Sequence, residues 1–238
     1  IDDVTGGVTV TSLTTIGCGD FPATRIDGAT ATGDVCVAAT NSGDLIIDEE
    51  VRSSAGNAAV YAFGNVNLRD NGPNTNGQVR SDAANGFASV VAQNGSIQDN
   101  RTTVAPEADL QAANVVLRAG TSIGAAGNPL EIDATNLAAR AANGVANIDD
   151  VAGGVTVTSL STIGCGDFPV TRIDGVTASG DVCVAATNSG SFTIREDVAS
   201  DAGVAAVYAF SDINLENGTN TAAQVRSTTT ASLVAQNG

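Results

Sequence analysis

The chain of 238 residues contains no histidine, lysine, methionine or tryptophan. Without histidine there is no imidazole base, and without lysine no amine nucleophile. All ten positive charges are arginine, against 26 acidic residues, for a net charge of −16. That balance excludes nucleic acid as a partner, because phosphate binding needs basic patches. Aromatic residues make up only 3% of the chain. A wide globular core uses more aromatic bulk than this. No apolar run approaches the ~20 residues of a membrane span, so no membrane insertion is expected. Nor is there the basic region and apolar stretch of a signal peptide. A chain that starts at Ile and lacks Met reads as an internal or processed piece of a larger polypeptide.

Small, β-branched and turn-forming residues fill the space these absences leave. Apolar residues still reach 42%, which argues for a folded chain. The dominant feature is duplication: residues 148–238 repeat residues 1–95. Between Ile1 and Gly43 only five positions differ from their counterparts, Thr5/Ala152, Thr14/Ser161, Ala23/Val170, Ala29/Val176 and Thr32/Ser179. The unit is 147 residues long, giving unit 1 at 1–147 and a partial unit 2 at 148–238. An enzyme needs its site once, whereas a fibre needs its segment many times.

A shorter phrase recurs inside the unit: alternating strand, Asn/Gly turn, alternating strand. It reads Val35-Cys-Val-Ala-Ala-Thr-Asn-Ser-Gly-Asp-Leu-Ile-Ile47 and returns at 60–68, 88–97, 113–123 and 137–148. Its glycines, Gly43, Gly64, Gly95, Gly120 and Gly144, fall 21, 31, 25 and 24 residues apart. This spacing predicts an all-β parallel solenoid of about ten coils of roughly 24 residues, one continuous shaft. Val8/Val10, Val35/Val37 and Ile132 are expected to point inward. The rival fold is a string of antiparallel sandwiches with Asn-Gly hairpin tips.

The stretch Ile123-Gly-Ala-Ala-Gly-Asn-Pro-Leu-Glu-Ile-Asp-Ala-Thr-Asn-Leu-Ala-Ala-Arg-Ala-Ala-Asn-Gly-Val-Ala-Asn-Ile148 resembles the repeats of filamentous-haemagglutinin-like giant bacterial extracellular proteins. The resemblance implies a right-handed parallel β-helix exported to the cell surface or beyond. The segments at 18–36 and 165–183 are not part of that family's usual repeat.

Four cysteines, Cys18, Cys36, Cys165 and Cys183, allow three connectivities. Each copy must fold on its own, so the expected pairs are Cys18–Cys36 and Cys165–Cys183. Cys36, between two inward valines, should face out, and the bond should clip a loop onto the flank. Disulfides fit an extracellular or cell-surface location. Calcium is the one candidate cofactor, with Asp2, Asp3, Asp149 and Asp150 as its candidate ligands. The calcium-binding nonapeptide and the EF-hand loop are both absent.

Carbohydrate-cleaving β-helix chemistry would need clustered acids, such as Asp2-Asp3, Asp149-Asp150 or Asp48-Glu49-Glu50. Carboxylates also keep strand edges from sticking. Moreover, Asp48 becomes Arg195 and Asp44 becomes Ser191 in the second copy. The expectation is therefore a non-catalytic extracellular filament, sheath or shaft, whose partners are copies of itself, head to tail. The alternative is an adhesin stalk binding a host surface or carbohydrate. Tyr61/Phe63 and Tyr208/Phe210 bring rings together on one face, and their expected role is core filling.

Overall fold

A computed structural model describes residues 1–3, 6–11, 13–14, 25–26, 28–70, 77–101, 107–165, 168–217 and 223–238, with side chains outside 2–3, 13–14 and 25–26. Among these residues every element is a strand, and no helix is present. The strands stack in parallel ladders. A broad ladder of copy 1 runs from Asp2–Asp3 through Val35–Ala39, Ala58–Ala62, Phe87–Ala92 and 114–119 to 136–141. Two narrow ladders accompany it. One stacks Val8–Val10, Leu45–Ile47, Val66–Leu68 and Ile97–Asp99. The other stacks Ala29–Ala31, Val51–Ser53, Val79–Ser81, 110–112 and 132–134. Antiparallel pairing between strands is confined to two short hairpins, Leu13–Thr14 with Arg25–Ile26 and Ser159–Ser161 with Arg172–Asp174. An antiparallel sandwich is thereby excluded for the described residues.

Alternation decides what is buried. Val37, Val60, Val90, Leu117, Leu137 and Ala139 share one core with Leu45, Ile47, Leu68, Ile97, Leu110 and Ile132. Val10 is buried in the same core, and Val8 and Val35 pack against it. These apolar chains are nearly all aliphatic, which suits a core only a few side chains wide.

The corners are held by short polar side chains. Asp44 Oδ1 accepts the Asn65 amide at 2.7 Å, and Asn65 Oδ1 accepts the Ser96 amide at 2.9 Å. Likewise Asp34 Oδ1 accepts the Asn57 amide, and Asn57 Oδ1 accepts that of Phe87. Each corner thus gives backbone donors at the bend a partner on the neighbouring turn.

The two copies keep the same local register: Asp2 faces Ala38 as Asp149 faces Ala185, and Val35 faces Ala58 as Val182 faces Ala205. At their boundary the ladders exchange roles. The broad strand 136–141 of copy 1 pairs with Thr156–Val157 and Val176–Ala178, which head the two narrow ladders of copy 2. Both narrow ladders of copy 1 feed Ala146–Asp150, which pairs with Val182–Ala186, the start of copy 2's broad ladder.

Candidate functional site

Between Val157 and Val176 the chain leaves the ladder. The detour, residues 158–175, opens and closes at one point, where Thr158 donates to Leu137, Gly175 to Thr158 and Ala139 to Gly175 through the backbone. Gly175 closes the root at φ 71°, where an added Cβ would lie 2.1 Å from the Asp197 carbonyl. Gly28 repeats this in copy 1, at φ 66° and 2.1 Å from Glu50. A residue with a side chain fits neither position.

The detour folds back over the outward side of copy 1's broad ladder. Near its root, buried Ile173 clusters with Val116 and Ala138, and Leu160 and Phe87 pack against them. Farther on, the Ile163 amide donates to Ser89 Oγ at 3.1 Å. Phe168 stacks on Tyr61, with ring centroids 4.5 Å apart. Cys165, the most distant, bonds to Cys36 across a sequence separation of 129. Ala38, Ala59, Tyr61 and Val91 are buried beneath it. The hairpin therefore crosses five strands, about 19 Å at ~4.8 Å per step. Burial raises the Tyr61 phenol above its ordinary value, against a hydrogen bond with the Thr162 side chain.

This connectivity corrects the expected pairing. Cys36 joins Cys165 of the other copy, so neither Cys18–Cys36 nor Cys165–Cys183 forms as expected. Cys183 is free, and Cys18 lies outside the described residues. The physical reason is direction. The hairpin folds back over the broad ladder of copy 1, while Cys183 lies on Val182–Ala186, which stacks on Ala146–Asp150 at the end of the narrow ladders. Eighteen residues of chain separate Cys165 from Cys183 but do not bring them together. Tyr61, expected to fill the core, is instead the outward seat for Phe168, and Phe63 is exposed. Nothing in residue order pointed to this bridging; the duplication argued instead for pairing within each copy.

Of the expected calcium ligands, Asp149 and Asp150 do not converge. Asp149 and Asp150 are successive on one strand, so they face opposite ways. Asp149 accepts from the Thr187 amide and hydroxyl, and Asp150 from the Gly154 amide at 2.6 Å. Burial raises the pKa of both. Of Asp2 and Asp3 only the backbone is described.

A different acidic group does converge: Asp99, Asp109 and Glu131 offer oxygens within 4.8 Å of one another. It carries its own cation. The Arg101 Nε lies 2.7 Å from Asp109 and 3.5 Å from Asp99, and its side chain is almost wholly buried. Burial pushes Asp109 well above the usual carboxylate range and raises Glu131. The Arg101 guanidinium offsets the buried carboxylates there, as buried charge requires.

Asp48, one of the acids weighed for catalysis, holds Arg69 through two contacts of 2.8 and 3.0 Å. In copy 2 the pair is inverted, with Arg195 donating to Glu216 at 2.9 Å. Swapping both signs together preserves a bond between stacked strands, which is a structural role. The sequence carried this signal, because both positions change together and lie 21 residues apart in each copy.

The disulfide fits a non-reducing compartment. No helix is long and apolar enough to cross a membrane among the described residues. Comparison with family models, curated proteins and solved structures finds no match.

Proposed function

We propose that the ladders close as a right-handed parallel β-solenoid, and that the chain is a non-catalytic length of an extracellular filament or shaft built from 147-residue units. The observation that carries this reading is the boundary between the copies. Parallel pairing runs through it without interruption, and each ladder of one copy seats strands of the next. A unit that stacks on itself in this way propagates along an axis. The exchange of broad and narrow ladders corresponds to a half-turn between successive units.

Units that stack head to tail in this open way give filaments. The resemblance to giant bacterial surface proteins supports an extracellular place for it, as does the disulfide. Negative-stain electron microscopy of native material tests the proposal. Elongated particles of constant width are expected, and compact monomers alone would overturn it.

A further inference from the structure

Copy 2 repeats the seat of the hairpin, and no hairpin covers it among the described residues. Its strands Val182–Ala186, Val204–Ala209 and Thr230–Ala235 carry Cys183, Ala206, Tyr208, Ser232 and Val234 where copy 1 carries Cys36, Ala59, Tyr61, Ser89 and Val91. In copy 1 the cover leaves Tyr61 2% exposed; in copy 2 its counterpart Tyr208 is only half-buried. Cys183 is free and borders an apolar hollow of about 260 Å³ with Ala126, Val145 and Ala146. The hairpin sequence itself also occurs twice, with residues 11–28 differing from 158–175 only at Thr14/Ser161 and Ala23/Val170. The described roots share one register, Leu13 opposite Ile26 as Leu160 is opposite Ile173.

We infer that the open face of copy 2 is the seat for the hairpin of a further copy of the unit, whose tip cysteine bonds to Cys183. The inference rests on the repeating-shaft reading and adds its lock. Each unit would grip the one before it, so that Cys36–Cys165 is one clasp in a periodic series. The geometry also sets the spacing. The hairpin crosses five strands, and copy 2 supplies three of them, so two further strands separate Thr230–Ala235 from the next root, as a completed second unit would supply. In the bond-forming step two thiols lose two protons and two electrons to a disulfide oxidant such as oxidised glutathione, which leaves as two thiols. Burial and the nearby Asp149 raise the Cys183 thiol above its ordinary pKa.

The test uses the 238-residue chain and a synthetic hairpin peptide of residues 158–175 in glutathione redox buffer. Coupling of peptide Cys165 to Cys183 is read on the Arg-cleavage fragment Ile173–Arg195. It should run at least about tenfold faster than with a peptide carrying Ile163→Ser and Phe168→Ser, the factor that ~1.4 kcal/mol of lost seating gives. Equal rates would overturn the inference. In oxidised native material, a Gly-Cys-Gly-Asp-Phe-Pro peptide should be recovered joined to Ile173–Arg195. Filaments whose Cys183 remains alkylatable would overturn the clasp and leave the shaft standing. If no filament forms, the shaft reading falls, and the peptide assay still decides whether the seat exists.

Discussion

The strands Ala58–Ala62 and Ala205–Ala209 have one sequence, Ala-Ala-Val-Tyr-Ala, and two environments. Every residue of the first is buried, whereas the outward residues Ala206 and Tyr208 of the second are only partly covered. Their inward residues are alike, with Val60 fully buried and Val207 1% exposed. Alternation settles the inner face from local sequence. The outer face depends on whether a segment more than a hundred residues away folds back across it. A tyrosine between alanines is therefore a seat with or without an occupant, and its own sequence cannot say which.

Four measurements sharpen or break this comparison. The largest effect belongs to the disulfide. Cys36→Ser should lower unfolding stability by about 4 kcal/mol, since closing a loop of over 100 residues restricts the unfolded chain by roughly that amount. Cys183→Ser in the isolated chain should change it by less than about 0.5 kcal/mol. Equal losses in urea titrations would mean that copy 2's face is covered as well.

Next comes the stacked ring. Tyr61→Ala should cost about 3 kcal/mol, as truncation of a large buried aromatic does. Tyr208→Ala should cost under about 1 kcal/mol in the isolated chain. Addition of the hairpin peptide should raise stability in the parent chain but not in Tyr208→Ala, which thermal melts can resolve.

The inverted ion pair gives a smaller effect. Asp48→Arg places a second guanidinium against Arg69 and should cost about 2 kcal/mol, the Asp48 side chain being almost fully buried. Arg69→Glu added to it reproduces the Arg195/Glu216 arrangement and should recover most of the loss. A double-mutant cycle without coupling would show that the two positions changed independently.

The smallest effect is a slope with pH. Asp109 has a folded-state pKa raised by burial. Its stabilising share is complete below the ordinary carboxylate pKa and is lost as pH rises through the raised value. Stability should therefore fall with rising pH across that window, and Asp109→Asn should flatten the fall. Tyr61→Ala should leave this slope unchanged, because the clasp contributes no carboxylate. A slope that survives Asp109→Asn would move its origin to Asp149, Asp150 or Glu131, which are also raised.

Much of this protein is legible in residue order. Alternation at Val35/Val37 and Val8/Val10 identified inward residues, because successive side chains on a strand face opposite ways. The recurring strand–turn–strand phrase pointed to parallel stacking, because one turn cannot bury its own apolar face and must lean on the next. The covarying Asp48/Arg195 and Arg69/Glu216 positions even mark which strands are neighbours. Tertiary structure alone decided the rest. It chose the partner of Cys36, made Tyr61 a seat rather than core, and brought Asp99, Asp109 and Glu131 together around Arg101. Each of these joins residues on different turns or different copies. Local pattern fixes which way a side chain points from its own strand; only the path of the whole chain fixes what stands opposite it.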